Sequence, residues 1–307
     1  MLRKASLLIA SLFVSTSAFA AVLDGEDFVS ASSVGGRAND WSLTFFSIAS
    51  QQNMQNGKEA TSTRSVDTYD YLSTNYKLGR DVKVAMNIPF TYNTAGQNNY
   101  GDTVTANFKL QDIHFVYTNY DLGYFGPIDL SGKVKVYLPT SKFSQNAGTI
   151  TKIRLEGYAD WQFTRRWSVA YVAKPDIYWQ SQTANVNTEV EYDDNGMFVR
   201  DPRGTNKQFG LEHYLQVQWE LNEMFALSSK TGFDETWYHG SNVEGLESSH
   251  RTSLRLGLNL WIKPVRGVSF SLGVGNDTSL ESYRGEDVKI WQPQNTQYTL
   301  MTNIYVL

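Results

Sequence analysis

The chain has 307 residues, a formal net charge of −4, no cysteine and 14% aromatic residues. The lack of cysteine excludes a disulfide framework and a lipid anchor on cysteine, and no basic tract suggests nucleic-acid binding. After residue 20 no apolar run approaches the length of a spanning helix, which excludes a helical membrane protein. A β-barrel remains possible, because its apolar surface lies on every second residue.

Residues 1–20 have the pattern of a secretory signal peptide. A short positive n-region precedes an apolar h-region, and Ala-Phe-Ala at residues 18–20 gives a cleavage pattern. Cleavage there would remove two basic residues and no acidic one, which changes the formal charge from −4 to −6. We expect residues 21–40, which are polar and rich in Gly and Ser, to form a flexible periplasmic lead. Residues 41–307 are then the transmembrane barrel.

Apolar and polar residues alternate along most of the remaining chain. The alternation is clearest in 128–138, where the even positions are mainly apolar and the odd positions carry most of the charge. It is equally clear in 152–163, with the two sets exchanged. A period of two with one apolar face indicates β-strands. The predicted strands are 41–52, 63–78, 82–92, 104–121, 128–139, 150–163, 167–183, 205–221, 224–238, 250–262, 267–279 and 295–307.

The connections between these twelve strands alternate between short and long. Short turns on the periplasmic side and longer loops outside are typical of outer-membrane barrels, as is an even number of strands. The sequence therefore predicts an all-β, up-and-down antiparallel transmembrane barrel with both termini in the periplasm.

Three segments depart from the simple alternation. The apolar phase of the fourth strand changes near residues 111–112, which predicts a β-bulge there. Similar phase changes near 45–46 and 71–72 predict slips in the first two strands. The long segment 184–204 contains two extended runs around Asn-Gly at residues 195–196, which predicts a projecting hairpin.

Taken together, these features resemble the outer-membrane β-barrel proteins of Gram-negative bacteria, the porin-like class, over the whole chain. The family usually ends in an aromatic residue. Here Tyr305 stands at the penultimate aromatic position, whereas Leu307 replaces the terminal Phe or Trp. The resemblance implies an outer-membrane location, insertion by the barrel-assembly machinery, and contact with outer-membrane lipids and lipopolysaccharide.

The polar faces of the strands define the predicted lumen. Nine basic residues against six acidic ones give a mildly basic interior in an acidic protein. We interpret this as a narrow water-filled pore for passive diffusion of small hydrophilic solutes, with a weak preference for anions. A closed lumen with structural salt bridges is the alternative. The predicted lumen residues are Lys83, Lys133, Lys135, Lys152, Arg154, Lys174, Lys230, Arg251 and Arg255, with Glu156, Asp160, Asp176, Glu212, Glu220 and Asp234.

Four of these cations lie on neighbouring strands: Lys133, Lys135, Lys152 and Arg154. Unpaired cations this close repel one another unless solvent or an anion is present. We therefore expect this group to set any preference for anions. The sequence predicts no metal or cofactor site, and it leaves the oligomeric state open.

Tryptophans mark the expected edges of the membrane. Trp167 and Trp179 share a face and lie twelve residues apart, or about 40 Å along a strand. A tilt of roughly 35–45° reduces this separation to about 28–32 Å across the membrane. Together with Trp161 and Trp219, they are predicted to form aromatic girdles.

A competing hypothesis is an outer-membrane lipid hydrolase. Residues 239–242 read His-Gly-Ser-Asn, which resembles the H-x-S-N tetrapeptide of outer-membrane phospholipases and lipid A deacylases. That resemblance implies that His239 activates Ser241, with Glu244 or Glu247 as the orienting acid. The tetrapeptide lies in the ninth strand–loop region, which is not where those families carry it. An exposed loop histidine is the simpler reading.

The remaining histidines suggest no site. His114 and His250 have no ligand-like neighbours at close spacing, and His213 falls on an otherwise apolar face. The acidic residues of the loop 184–204 lack the spacing of a calcium loop. A third possible function is adhesion through such loops.

Overall fold

A computed structural model describes residues 40–54, 61–98, 101–183, 191–192, 198–200, 205–240, 250–280 and 290–306. Within these ranges twelve strands form one sheet, and we label them β1 to β12 in chain order. The fourth, β4, has two parts. The strands are Trp41–Gln52, Asp67–Lys77, Val82–Asn93, Asn107–Leu110 with His114–Phe125, Ile128–Tyr137, Thr149–Gln162, Trp167–Gln180, Lys207–Glu220, Phe225–Tyr238, His250–Val265, Val268–Ser279 and Thr296–Tyr305.

The sheet closes into a barrel. Each strand pairs antiparallel with the next along the chain, and β1 also pairs with β12 from Thr44↔Tyr305 to Gln52↔Gln297. Closure leaves no free edge, so every strand has two neighbours for its backbone hydrogen bonds. The predicted all-β up-and-down barrel of twelve strands is confirmed. No helix among the described residues is long and apolar enough to cross a membrane.

Connections of two kinds alternate around the barrel. Five short ones occupy 78–81, 126–127, 163–166, 221–224 and 266–267, and we call their side the short-turn end. The longer ones meet at the opposite side, the long-loop end. Several of the latter include residues outside the described ranges. The predicted alternation of connection lengths is confirmed.

The interruption of β4 confirms the predicted bulge. Phe90 of β3 faces Leu110, whereas Asn87 faces His114, so β4 holds one extra residue between these two pairs. The strand opposite contains Pro89, which has no N–H to donate. Its carbonyl instead accepts a hydrogen bond of 2.9 Å from the Gln111 amide.

The first two strands correct a prediction. The pairing of β1 with β2 runs without a shift from Trp41↔Tyr76 to Ser50↔Asp67, so the phase slips predicted near 45–46 and 71–72 are wrong. Phe46 and Tyr71 instead face the lumen, where their rings stack at 4.7 Å. Apolar residues on both faces of these strands produced the apparent change of phase.

Short elements occur in the long loops. A five-residue helix, α1 (Lys142–Asn146), follows β5, and its Ser141 cap accepts a hydrogen bond from the Ser144 amide. The strand pair Glu191–Tyr192 with Phe198–Arg200 is the predicted hairpin, although its Asn-Gly turn lies outside the described residues. The signal peptide and residues 21–39 of the lead also lie outside the described ranges.

Tryptophans lie at both rims on the outward face. Trp161, Trp167 and Trp219 are near the short-turn end, and the rings of the last two stack at 5.3 Å. Trp179 lies near the long-loop end, two strands from Trp237, whose ring was not predicted for the girdle. Such rings suit membrane–water boundaries because they are amphipathic.

Candidate functional site

Alternation along β5 to β11 points a dense set of charged side chains inward. Buried side chains share one face of each strand, and in a closed barrel that face lines the lumen. Seven cations and six acids on these inward faces form what we call the charged belt. Asp160 lies near the short-turn end, and the others lie near the middle of the strands or towards the long-loop end. The belt consists of Lys133, Lys135, Lys152, Arg154, Lys174, Lys230 and Arg255, with Glu156, Asp160, Asp176, Glu212, Asp234 and Asp277.

Glu156 is the most enclosed acid of the belt, with 1% of its side chain exposed. Its Oε1 lies 2.9 Å from Lys135 Nζ and its Oε2 lies 4.0 Å from Lys133 Nζ. The Tyr158 hydroxyl donates a hydrogen bond of 2.5 Å to the same Oε2. One carboxylate therefore compensates two ammonium groups that are both largely shielded from water.

Arg154 makes a two-pronged ion pair on the adjacent strand. Its Nε and Nη2 donate to the two oxygens of Asp176 at 2.7 and 2.6 Å. This geometry suits guanidinium and carboxylate groups, since both are planar. The four neighbouring cations expected to be mutually unpaired are therefore not a bare cluster: Arg154, Lys133 and Lys135 each have an acidic partner.

Arg255 connects three acids on three strands. Its guanidinium lies 3.3 Å from Glu212, 2.5 Å from Asp234 and 3.0 Å from Asp277. Lys230 shares Glu212 at 2.7 Å. Ion pairs therefore cross-link β8 to β11 inside the barrel.

Inward tyrosines accompany the lysines of the belt. Lys152 Nζ lies 3.8 Å from the centre of the Tyr137 ring, and Lys230 Nζ lies 3.7 Å from that of Tyr214. Lys174 approaches the Tyr214 ring to 5.2 Å. Cations over ring faces gain electrostatic stabilisation without a counter-charge.

The opposite wall has a different composition. β12 and β1 contain no Lys, Arg, Asp or Glu, and we call their inward faces the uncharged wall. Asn303 there, with Ser269 and Ser271 on the neighbouring strand, buries polar side-chain atoms that no described protein group hydrogen-bonds. Buried polar atoms without protein partners normally contact water. This part of the lumen is therefore suited to ordered water.

Other predicted lumen residues lie apart from these contacts. Lys83 is near the short-turn end, with Nζ 5.7 Å from the Tyr120 ring centre, and Asp160 is buried beside Asp129 in the strand register. Arg251 is exposed near the long-loop end, and Glu220 is the last residue of β8.

The histidines show one arrangement that spacing did not reveal. His213 and His250 lie on the outward face, where their Nε2 atoms approach the two oxygens of Glu235 at 3.4 Å each. The pairing of β8 with β9 is regular at His213, so a wrong register does not explain it. His250 has no such neighbour at close spacing in the sequence, and it is the pairing of β9 with β10 that brings Glu235 to it. No described group of three or more His, Cys, Asp or Glu is placed to hold a metal ion.

The predicted hydrolase pair cannot be assembled from the described residues. His239 follows the end of β9, and its amide donates to the Asn206 carbonyl at 2.9 Å. Ser241, Glu244 and Glu247 lie outside the described ranges.

Several inward aromatic residues were not among the predicted lumen residues. Tyr214 and Trp261 are almost completely buried, and the Trp261 indole donates to the Ser228 hydroxyl at 3.0 Å. Tyr137 and Tyr178 share the alternation phase of the inward charges on their own strands. That shared phase was the signal that could have assigned them to the lumen.

Several solved structures of outer-membrane proteins are similar to the barrel. An outer membrane channel from Pseudomonas putida is similar over 89% of this chain and 98% of that chain, with a TM-score of 0.56 and 10% identity. The KdgM porin covers 86% of this chain and 99% of its own at 7% identity and a TM-score of 0.47. The transport unit of the autotransporter AIDA-I from Escherichia coli matches 96% of this chain and 97% of its own, at 10% identity and a TM-score of 0.44.

At such identities the likeness concerns the fold alone. No protein-family model matches the chain, and no curated protein matches it significantly in sequence. The resemblance to porin-like outer-membrane barrels is therefore confirmed as a resemblance of architecture.

Proposed function

We propose that the chain is an outer-membrane channel through which small hydrophilic solutes diffuse passively, with a weak preference for anions. The observation that carries this proposal is the charged belt, whose seven cations and six acids leave a formal charge of +1 inside an acidic protein. Charged groups facing one another across a lumen can replace part of the hydration shell of a passing ion.

The alternative of a sealed lumen accounts less well for these charges. A permanently closed interior needs only apolar packing, which is often as stabilising as buried ion pairs or more so. The belt side chains are instead charged, with only 7% of the Lys133 and 4% of the Lys135 side chain exposed. The enclosure of these two lysines agrees with a sealed lumen, whereas the number of inward charges favours a narrow passage for small ions.

The location and orientation belong to the same proposal. A barrel with an outward apolar face and aromatic rims suits the outer membrane, and short turns face the periplasm in such barrels. Both termini would then be periplasmic. Outer-membrane lipids, lipopolysaccharide and the barrel-assembly machinery are the partners we expect, and no observation favours nucleic acid or a lipid hydrolase.

Planar-bilayer recording tests the proposal. The purified protein should give conductance steps, and a potassium chloride gradient should give a reversal potential on the anion-selective side. Replacing Lys133, Lys135, Lys152 and Arg154 together by Gln changes the formal charge of the belt from +1 to −3, which should reverse the selectivity. Arg80→Gln, in a short turn with 85% of its side chain exposed, is the control. A silent bilayer at high protein concentration would contradict the proposal.

A further inference from the structure

One row of inward side chains combines a cation with aromatic rings. Across three adjacent strands, Tyr137, Lys152 and Tyr178 are direct register partners, and their side chains share the inward phase. The ammonium of Lys152 lies 3.8 Å from the centre of the Tyr137 ring and 5.7 Å from that of Tyr178. We call these three residues the Lys152 station.

The charge of Lys152 sets it apart within the belt. Arg154 and Lys135, its neighbours one step towards the short-turn end, each have a carboxylate within 2.9 Å. No described carboxylate lies within 4.0 Å of Lys152, whose close contacts are the two ring faces. A ring face attracts a cation but carries no negative charge. The station therefore offers an ammonium that no described carboxylate contacts directly, although Asp176 acts on its charge from a longer distance.

The two rings have different surroundings. Tyr137 has His114 stacked on it at 4.5 Å, and His114 in turn contacts the Asn87 amide at 3.1 Å, which holds that ring in place. Tyr178 makes no described ring–ring contact, and its ring centre is the more distant from the ammonium. Its face is the one that an incoming planar group can pack against.

We propose that the Lys152 station binds a small monocarboxylate attached to a six-membered ring. The carboxylate would pair with the Lys152 ammonium, a charge-assisted contact, while the ring packs on Tyr178. The single ammonium favours one carboxylate over two. The inference rests on the proposed channel only for its biological role, because binding at the station does not require conduction.

Calorimetric titration of the full protein in detergent tests the station directly. Benzoate supplies a carboxylate on an aromatic ring, glucuronate one on a sugar ring, and acetate one without a ring. At least one ring-bearing ligand should bind about fivefold more tightly than acetate, which corresponds to one added stacking contact. Tighter binding of benzoate than of glucuronate would indicate an aromatic acid as the ligand, and the reverse order would indicate a sugar acid. Equal affinities for all three would overturn the proposal.

Two variants separate the parts of the site. Lys152→Gln should weaken the binding of every carboxylate about tenfold, the loss expected for one charged hydrogen bond. Tyr178→Leu should remove the advantage of the ring-bearing ligands and leave acetate binding unchanged. Arg80→Gln and Tyr124→Leu change exposed residues at the short-turn end and should have no effect. Unchanged ligand affinity in Lys152→Gln would overturn the assignment.

Recording in bilayers keeps the two proposals distinct. Selective binding in detergent by a protein that never conducts would contradict the channel and leave the station in place. Anion-selective conductance without ligand discrimination would support the channel and overturn the station. Where both hold, benzoate or glucuronate should block the current at lower concentration than acetate, and Lys152→Gln should relieve that block.

Discussion

Two walls of the lumen differ in how their buried polar groups are satisfied. On the charged belt, acids and bases from adjacent strands satisfy one another, as Glu156 does with Lys133 and Lys135. On the uncharged wall, Asn303 buries polar atoms that lack a described protein partner. The first wall depends on direct ion pairing, whereas the second is suited to ordered water.

The difference teaches where selectivity can arise. β1 and β12 lie across the barrel from β7 and β6, so the charges are concentrated on one side of the passage. In the proposed channel, a one-sided field would guide an ion along the charged side, while the uncharged side would supply hydration. Breaking the ion pairs should therefore affect both stability and selectivity, whereas changes on the uncharged wall should affect mainly selectivity.

The largest effect is expected from Glu156→Gln. The change leaves Lys133 and Lys135 without their shared carboxylate inside the barrel, which should lower the free energy of unfolding by about 3 kcal/mol. It should also increase the preference for anions. Urea unfolding in lipid vesicles, followed by tryptophan fluorescence, gives the stability, and the reversal potential gives the selectivity.

Two further variants show whether the loss comes from uncompensated charge. Lys135→Gln added to Glu156→Gln removes one of the stranded cations, so the double variant should recover part of the lost stability. Glu223→Gln, in the exposed turn 221–224, should change neither quantity. If Glu156→Gln alone is as stable as the native protein, the ion pairs of Glu156 contribute little to stability.

A smaller loss is expected from Gly232→Ala in β9. A Cβ at this position would lie 2.1 Å from the His213 carbonyl oxygen and 2.3 Å from Tyr214 Cβ, so β8 must shift. Such overpacking costs about 1–3 kcal/mol, and it would move the Tyr214 ring away from Lys230. The unfolding transition and heat-modifiable gel migration should reveal the change. Gly79→Ala has no atom within 4 Å of the added Cβ and should behave as the native protein.

The barrel could be predicted from the sequence because the pattern that produces each strand is local to that strand. Period-two alternation depends on each strand separately, and the bulge at 111–112 appeared as a phase change within one segment. The prediction failed around Phe46, where both faces of the strand are apolar. Polarity then no longer distinguishes the inward residues from the outward ones. Only the paired register shows that Phe46 stacks on Tyr71 inside the barrel.

The sequence predicted which charged residues face the lumen, but it did not predict which of them form ion pairs. Alternation identified which charges face inward, but it does not say which acid meets which base. Arg154 and Asp176 are 22 residues apart in the chain and are joined only by the β6–β7 register. The same holds on the outward face for His213, Glu235 and His250. Long-range strand pairing was therefore the information that the sequence lacked.

The smallest effect should come from adding a cation to each wall in turn. Thr44→Lys places an ammonium on the uncharged wall near the short-turn end, where β1 and β12 offer no acid to neutralise it. It should raise the chloride-to-potassium permeability ratio about twofold, the result of roughly 0.4 kcal/mol of screened interaction. Ser168→Lys makes the same change on β7, where Asp160 of the adjacent strand can compensate it, so its shift should be smaller. Equal shifts in the two variants would show that the lumen responds only to its total charge, and the distinction between the walls would then have no consequence for selectivity.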